Sequence, residues 1–257
     1  MPRISNILMQ LSGILALILI WQLATGVLHL VKPVILPPPT DVLTAAIDMV
    51  GDGSLFMHAG YSLWRVLLGF LAAVLIAVPL GVAMGWVRTI AHIVDPIVEV
   101  IRPIPPIAWI GLALLWFGIG IGSAIFLVFI GAFFPVLLNT IAGVRNVDRK
   151  LIEVAYTFGA SDFEILRKVV IPAAMPTIYT GMRVGMGIGW MCVVAAEMVA
   201  VRYGLGNLIL EASNFLQTDR VMVGMICIGI LGLVVNFIFQ LVGDRIFAWQ
   251  EGVSKGA

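Results

Sequence analysis

Between Pro103 and Val144 lie 42 consecutive residues without an Asp, Glu, Lys or Arg. The hydrocarbon core of a bilayer is about 30 Å thick, and roughly 20 apolar residues at about 1.5 Å each cross it in one helix. The stretch is therefore twice as long as one crossing needs. Its middle, Phe117-Gly118-Ile119-Gly120-Ile121-Gly122-Ser123, is a glycine-rich turn that divides it into two. Hydrophobic residues make up 61% of the chain and charged residues 11%, whereas soluble domains hold about 45–50% and about 25%. With a mean hydropathy of +1.10, most of this chain has lipid as its solvent.

Ile4–Val31, Val66–Val87 and Val221–Gly243 are also free of charge, and Pro176–Ala200 carries only Arg183 and Glu197. The expected fold class is all-α, a polytopic membrane protein with six transmembrane helices over 8–30, 66–87, 103–118, 123–144, 176–200 and 221–243. All six belong to one transmembrane domain, 1–257. Signal-peptide cores run to about 7–15 residues, so the first run reads as a retained anchor. With the N-terminus in the cytoplasm, the inner segments hold Arg3, Arg88, Arg102, Arg145, Arg149, Lys150, Arg167, Lys168, Arg245 and Lys255. The outer segments hold Lys32, Arg65, Arg202 and Arg220, and ten cations against four place both termini inside.

A net charge of +1 and the lack of a basic run give no nucleic-acid signal. Cys192 and Cys227 sit in apolar runs as small hydrophobes. His29, His58 and His92 have no ligand-spaced neighbours, so no metal site is expected. Outside the membrane, Pro37-Pro38-Pro39 halts any helix, after which Thr40 caps a short one that Gly51 ends.

The longest inner loop, 146–170, carries a pattern that a plain connector does not need. Asp148 can cap a helix in which Leu151, Ala155 and Phe158 share a face, and Gly159 ends it. Ser161 and Glu164 form an S-x-x-E capping box that starts a second helix, with Phe163, Leu166 and Val170 apolar. An amphipathic helical hairpin that shows apolar residues to the cytoplasm is a docking element for a soluble partner.

Glu153-Val154-Ala155, three residues, Gly159, nine residues, then Val169-Val170-Ile171-Pro172 resembles the E-A-A-x3-G-x9-I-x-L-P loop of ABC-importer permeases. Val154, Val169 and Ile171 are conservative departures from that pattern. Asp95-Pro96, Arg102-Pro103-Ile104-Pro105-Pro106-Ile107-Ala108-Trp109, Trp116-Phe117-Gly118-Ile119-Gly120, Gly181-Met182-Arg183, Gly189-Trp190, Ala195-Ala196-Glu197 and Gly204-Leu205-Gly206 resemble the nitrate/sulfonate/taurine/bicarbonate branch, over about Pro37 to Asp244. The resemblance implies a type I ABC importer permease fold in a bacterial or archaeal plasma (inner) membrane. It also implies a homodimer whose two permease copies enclose the pathway, two ATP-binding subunits that hold ATP and Mg, and a separate substrate-binding protein. Glu153, Ala155, Gly159, Ser161, Glu164 and Pro172 then fall in the ATPase-coupling loop. The chain has no G-x-x-x-x-G-K-[ST] sequence, so it is expected to be no enzyme, to have no cofactor of its own, and to leave hydrolysis to its partners.

Irregular backbone at membrane depth is tolerated where it lines a cavity or is buried in protein. On that ground Arg102, Ile104, Pro105, Pro106 and Ile107 are candidates for the pathway. Arg183 and Glu197, charged groups within a span, where function concentrates, are also candidates for the pathway. Arg183 either snorkels or pairs, or it helps an anion cross; Glu197 reads first as a structural tie. Gly181, Gly185 and Gly189, four apart, form a close-packing face on the fifth span. Asn139, Asn236 and Gln240 read as interhelical hydrogen-bonding groups. Arg88, His92, Asp95, Glu99 and Arg102 share one helix face and read as a cytoplasmic-edge stripe.

A secondary active transporter would be expected to show coupling-ion carboxylates at mid-membrane. A membrane enzyme would show convergent catalytic side chains. Neither pattern is present. The cargo expected from the resemblance is a small oxyanion (taurine or another sulfonate, nitrate or bicarbonate), with a vitamin precursor as the alternative.

Overall fold

The chain is described by a computed structural model over residues 12–13 and 15–247. The expected first span, Arg3 and Lys255 fall partly or wholly outside these residues. The described elements are α1 (Leu15–Val27), α2 (Pro39–Gly51), α3 (Ser54–Trp86), α4 (Arg88–Ile101), α5 (Ile110–Phe117), α6 (Ile121–Arg145), α7 (Arg149–Thr157), α8 (Asp162–Ile165), α9 (Ile171–Ala200), α10 (Leu205–Asn214) and α11 (Thr218–Ile246). Among the described residues, α3, α6, α8 with α9 (Asp162–Ala200), and α11 are long and apolar enough to cross a membrane. A fifth candidate is the pair α4 and Pro106–Phe117, bent by 87°.

That bend falls where irregular backbone is expected, at the inner end of the span over 103–118, and its size goes beyond that expectation. Pro103, Pro105 and Pro106 remove three backbone donors in four residues, and Pro106 holds the preceding Pro105 out of helix. The chain turns through Pro105 in an extended conformation into a single 3₁₀ turn, Pro106–Trp109. Gly118 at φ 71 and Gly120 as the N-cap then separate α5 from α6. The glycine-rich turn expected there is present.

Two compact units divide the chain: Met1–Tyr61 with Tyr203–Gly229, and Ser62–Arg202 with Ile230–Ala257. In the first, Trp21 Nε1 donates to the Pro37 carbonyl at 3.1 Å and Thr218 Oγ1 to that of Val34 at 2.6 Å. Helix α2 starts two residues earlier than expected, because Pro39 suits the first helical position and Pro38, not Thr40, is the cap. Thr40 lies inside it. Gly53, at φ 77, takes the left-handed turn that leads to α3, and Asp52 Oδ1 accepts from Ser54 N at 2.8 Å.

The second unit is built around α6. Half of its apolar stretch is buried, against 11% for α11. One cluster joins Ala77, Met84, Ala91, Val98, Val136 and Leu137 from α3, α4 and α6. Another joins Val144, Val147, Ile165, Val170, Ala174 and Ile178 around the start of α9. Helix α9 lies against α6 along its glycine face. A Cβ at Gly181 would come within 2.5 Å of Asn139 Cβ, at Gly185 within 2.9 Å of the Ala132 carbonyl, and at Gly189 within 3.2 Å of Val128 Cγ1. At 181 and 185 only glycine permits that approach without a shift, while at 189 Val128 would have to give by a few tenths of an ångström. Asn139 does not bridge helices: its Nδ2 donates to the Pro135 carbonyl of α6 itself at 2.8 Å.

Candidate functional site

The 146–170 loop begins where Asp148 Oδ1 accepts from Lys150 N at 2.9 Å, the cap that starts α7. Helix α7 closes on a Schellman motif. Ala160 N donates to the Ala155 carbonyl at 3.1 Å and Gly159 N to that of Tyr156 at 2.9 Å, with Gly159 left-handed at φ 78. A side chain at Gly159 would meet no atom. Glycine is required there by backbone conformation, not by space.

The second arm starts on the capping box expected from the sequence. Ser161 Oγ accepts from Glu164 N at 3.4 Å, while Glu164 Oε2 accepts from Ser161 N at 3.2 Å. Lys168 Nζ donates to Glu164 Oε1 at 2.9 Å. These bonds, the one from Lys168 first, hold the Glu164 carboxyl at about 2, well below its ordinary 4.5. Tyr156 Oη donates to Asp162 Oδ1 at 2.7 Å across the glycine turn, and that carboxylate pushes the phenol above its usual range. Ala155 and Ala160 pack beneath the turn against the Val144 and Ile165 cluster. Phe158 is left 86% exposed and Phe163 70%. The loop thus has a fixed backbone and two bare aromatic rings.

The second arm does not end as a separate helix. It passes through a π turn, Leu166–Val170, directly into α9. Pro172, at the start of α9, has no N–H for the Lys168 carbonyl, and one extra residue in the turn relieves the clash with its ring. The loop and the span are therefore one continuous segment, Asp162–Ala200.

Glu153 lies at the edge of a cavity of about 790 Å³. Met84, Ala91 and Val144 floor it, and Arg88, His92, Asp95, Arg145 and Arg149 also line it. Asp95 pairs with Arg145 at 3.5 Å. Helix α4 runs unbroken through Asp95-Pro96, so the charged stripe belongs to one helix.

Within the spans the structure separates the charged candidates. Glu197 is fully buried. It accepts from Arg65 Nη1 at 2.6 Å on Oε1 and from Ser62 Oγ at 2.8 Å on Oε2. Arg65 is not the outer-loop cation expected from the sequence, because α3 starts at Ser54 and carries it inside the bundle, where it is buried. Its signal in the sequence is the polar stripe His58, Ser62 and Arg65, spaced by four and three on one helix face. Arg183 is exposed, and its Nε donates to Asn236 Oδ1 of α11 at 2.9 Å. Arg102 is the C-cap of α4, and Ile104 and Ile107 are exposed in and after the bend. Pro105 leads into the 3₁₀ turn that Pro106 starts, and this turn packs on α6 and α9. Among the described residues no cluster of His, Cys, Asp or Glu could hold a metal.

This architecture is the fold of an ABC transporter's membrane-spanning subunit. The inward-facing MetNI methionine ABC transporter superposes with a TM-score of 0.57 at 20% identity, over 72% of this chain and 91% of that one. An amino acid ABC transporter crystallised with histidines gives 0.57 at 21% identity, over 78% and 96%. Residues 66–249 match the model of the binding-protein-dependent transport system inner membrane component. The chain belongs to that family and is a multi-pass membrane permease. A putative ABC transporter permease protein of Methanocaldococcus jannaschii is 47% identical over 91% of this chain and 89% of its own length. The taurine transport system permease protein of Escherichia coli K12 is 40% identical over 94% and 90%. The nitrate import permease protein of Leptolyngbya laminosa is 34% identical over 76% and 70%.

Proposed function

We propose that this chain forms half of the pathway of an ATP-driven importer for a small oxyanion. A second copy of the chain supplies the other half. Two separate ATPase subunits, which bind ATP and Mg, dock on the 146–170 loops, and a binding protein delivers the solute from outside. Both termini face the cytoplasm of a bacterial or archaeal cell.

The observation that carries this reading is the loop itself. Its two arms are locked at Gly159 and across the Tyr156–Asp162 bond, while Phe158 and Phe163 project with little of this chain's described part to cover them. Bare aromatic rings on a rigid support fit a groove in a protein partner. Because the second arm is continuous with α9, movement of a docked ATPase is delivered straight to the span that carries Arg183. Closure of the ATPases on ATP would pull the two loops together and turn the pathway outward; hydrolysis would reset it. For the cargo, support comes from relatives named for taurine, aliphatic sulfonates and nitrate, each of which bears an oxyanion group. Taurine or another sulfonate is the first choice, then nitrate, then bicarbonate.

The test is copurification with the ATPase, followed by reconstitution with the binding protein. ATP hydrolysis stimulated by one of taurine, an alkanesulfonate, nitrate or bicarbonate is expected, and Gly159→Pro should abolish the stimulation. An ATPase that never copurifies, or stimulation that is indifferent to Gly159→Pro, would count against the docking role of the loop.

A further inference from the structure

Arg183 differs from Glu197, the other charged group in the apolar stretch Pro176–Ala200, in having no ion-pair partner among the described residues. It stands on α9, about two turns past the inner end of the apolar stretch, and is exposed. Among the described residues no carboxylate lies within ion-pair distance of it; the ion pairs there are Arg65–Glu197, Arg145–Asp95 and Lys168–Glu164. Its hydrogen bond runs from Nε to Asn236 Oδ1 at 2.9 Å. A guanidinium presents five N–H donors in a rigid plane. Asn236 takes the one on the stem and so sets the plane, leaving the two terminal nitrogens to act together. Arg183 borders a cavity of about 60 Å³, lined also by Met186, Gly187, Trp190 and Phe239. A Cβ at Gly187 would meet nothing within 4 Å, so the approach along α9 is open.

An unneutralised cation in a span is costly and is retained where it meets water or an ion. Its free edge matches the spacing of two oxygens on one centre, which it grips with paired, charge-assisted hydrogen bonds. We propose that Arg183, aimed by Asn236, is an oxyanion-binding station within the membrane. It holds the sulfonate, nitrate or carbonate group of a solute whose remaining part lies towards Gly187 and Trp190. The carrying of such a solute rests on the importer reading above, whereas the station itself is testable apart from it.

The test uses the assembled complex in liposomes, with Cys192 and Cys227 replaced by alanine and a single Gly187→Cys. Two thiol reagents of similar size are compared: 2-sulfonatoethyl methanethiosulfonate, itself a sulfonate, and its trimethylammonium counterpart. The sulfonate reagent is expected to react faster. Arg183→Gln should lower the ratio of the two rates at least about tenfold, because loss of one charge a few ångströms away shifts the two rates in opposite directions even at the dielectric of water. Arg183→Lys should restore most of it, which separates charge from fold. Taurine or nitrate should slow the reaction in the wild-type background and not in Arg183→Gln. A ratio that Arg183→Gln leaves unchanged, or a Gly187→Cys thiol that reacts with neither reagent, overturns the station. ATP-dependent uptake in the same liposomes decides the importer reading separately. Charge selection without uptake removes the importer and keeps the station; uptake unaffected by Arg183→Gln removes the station alone.

Discussion

Two arginines stand on the apolar spans of this permease, and the structure treats them in opposite ways. Arg65 is buried, with its guanidinium on Glu197 at 2.6 Å and Ser62 on the same carboxylate. Arg183 is exposed, oriented by a neutral amide, and without a counter-charge among the described residues. A buried pair satisfies its own field and is closed to a solute. An exposed cation whose plane is fixed keeps its field for whatever passes. The contrast shows that charge in a span does not by itself mark the pathway; the partner decides.

The largest expected effect lies on the closed side of this contrast. Arg65→Ala or Glu197→Ala leaves one charge buried without its partner, at a cost of about 3–5 kcal/mol. Thermal unfolding of the purified protein should register that loss, and Arg65→Met with Glu197→Leu should recover most of it. Single variants as stable as wild type would show that the pair is not what ties α3 to α9.

The two faces of α9 give the next test. Gly185→Ala drives a Cβ to 2.9 Å from the Ala132 carbonyl on α6 and should destabilise by about 1–3 kcal/mol. Gly187→Ala, two residues on, meets nothing and should be neutral or gain up to about 1 kcal/mol of helix propensity. Equal melting points for the two would mean that the glycine face is not the packed one.

Arg183→Gln should leave the melting temperature unchanged and lower anion uptake about tenfold, or about 1.4 kcal/mol in transport rate. A loss of stability matching that of the Arg65 variants would erase the distinction between the two arginines.

The smallest effect belongs to the loop. Lys168 and Ser161 depress the Glu164 carboxyl in the folded state, so its support of the second arm is fully present above about pH 4.5 and is lost as pH falls towards about 2. A carboxyl titration followed by infrared or NMR, with Glu164→Gln as the blank, should show a midpoint near the lower value. A midpoint near 4.5 would mean that the capping box is open in solution.

Much of this was legible in the residues. Charge-free runs marked α3, α6, α9 and α11, because lipid excludes charge over a length set by the bilayer. The loop was legible in finer detail, since Asp148, Gly159, Ser161 and Glu164 act through their own backbone neighbours, and local rules suffice for local bonds. What escaped depends on partners distant in sequence. Arg65 read as a loop cation because Glu197, 132 residues away, has no local signature. The prolines at 103, 105 and 106 announced irregular backbone, but not an 87° turn, whose angle depends on packing against α6 and α9. Pro172 read as the end of the motif; the π turn that lets the helix run past it is a compromise between ring and carbonyl that no spacing reveals. Glycines 181, 185 and 189 announced a packed face without naming α6 as the helix it meets.

The central claim is that ATP hydrolysis in docked subunits, transmitted through the loop, drives a solute with an oxyanion group through this chain. Its most direct test is uptake of labelled taurine into liposomes that hold the permease, its ATPase and its binding protein, with wild type set against Phe158→Asp. That substitution leaves every side-chain hydrogen bond of the loop in place and removes an exposed aromatic ring. Accumulation that requires ATP in wild type and falls to background in Phe158→Asp is the predicted result. Accumulation driven by a proton or sodium gradient without ATP, and equal in both proteins, would contradict the account and leave a secondary carrier in its place.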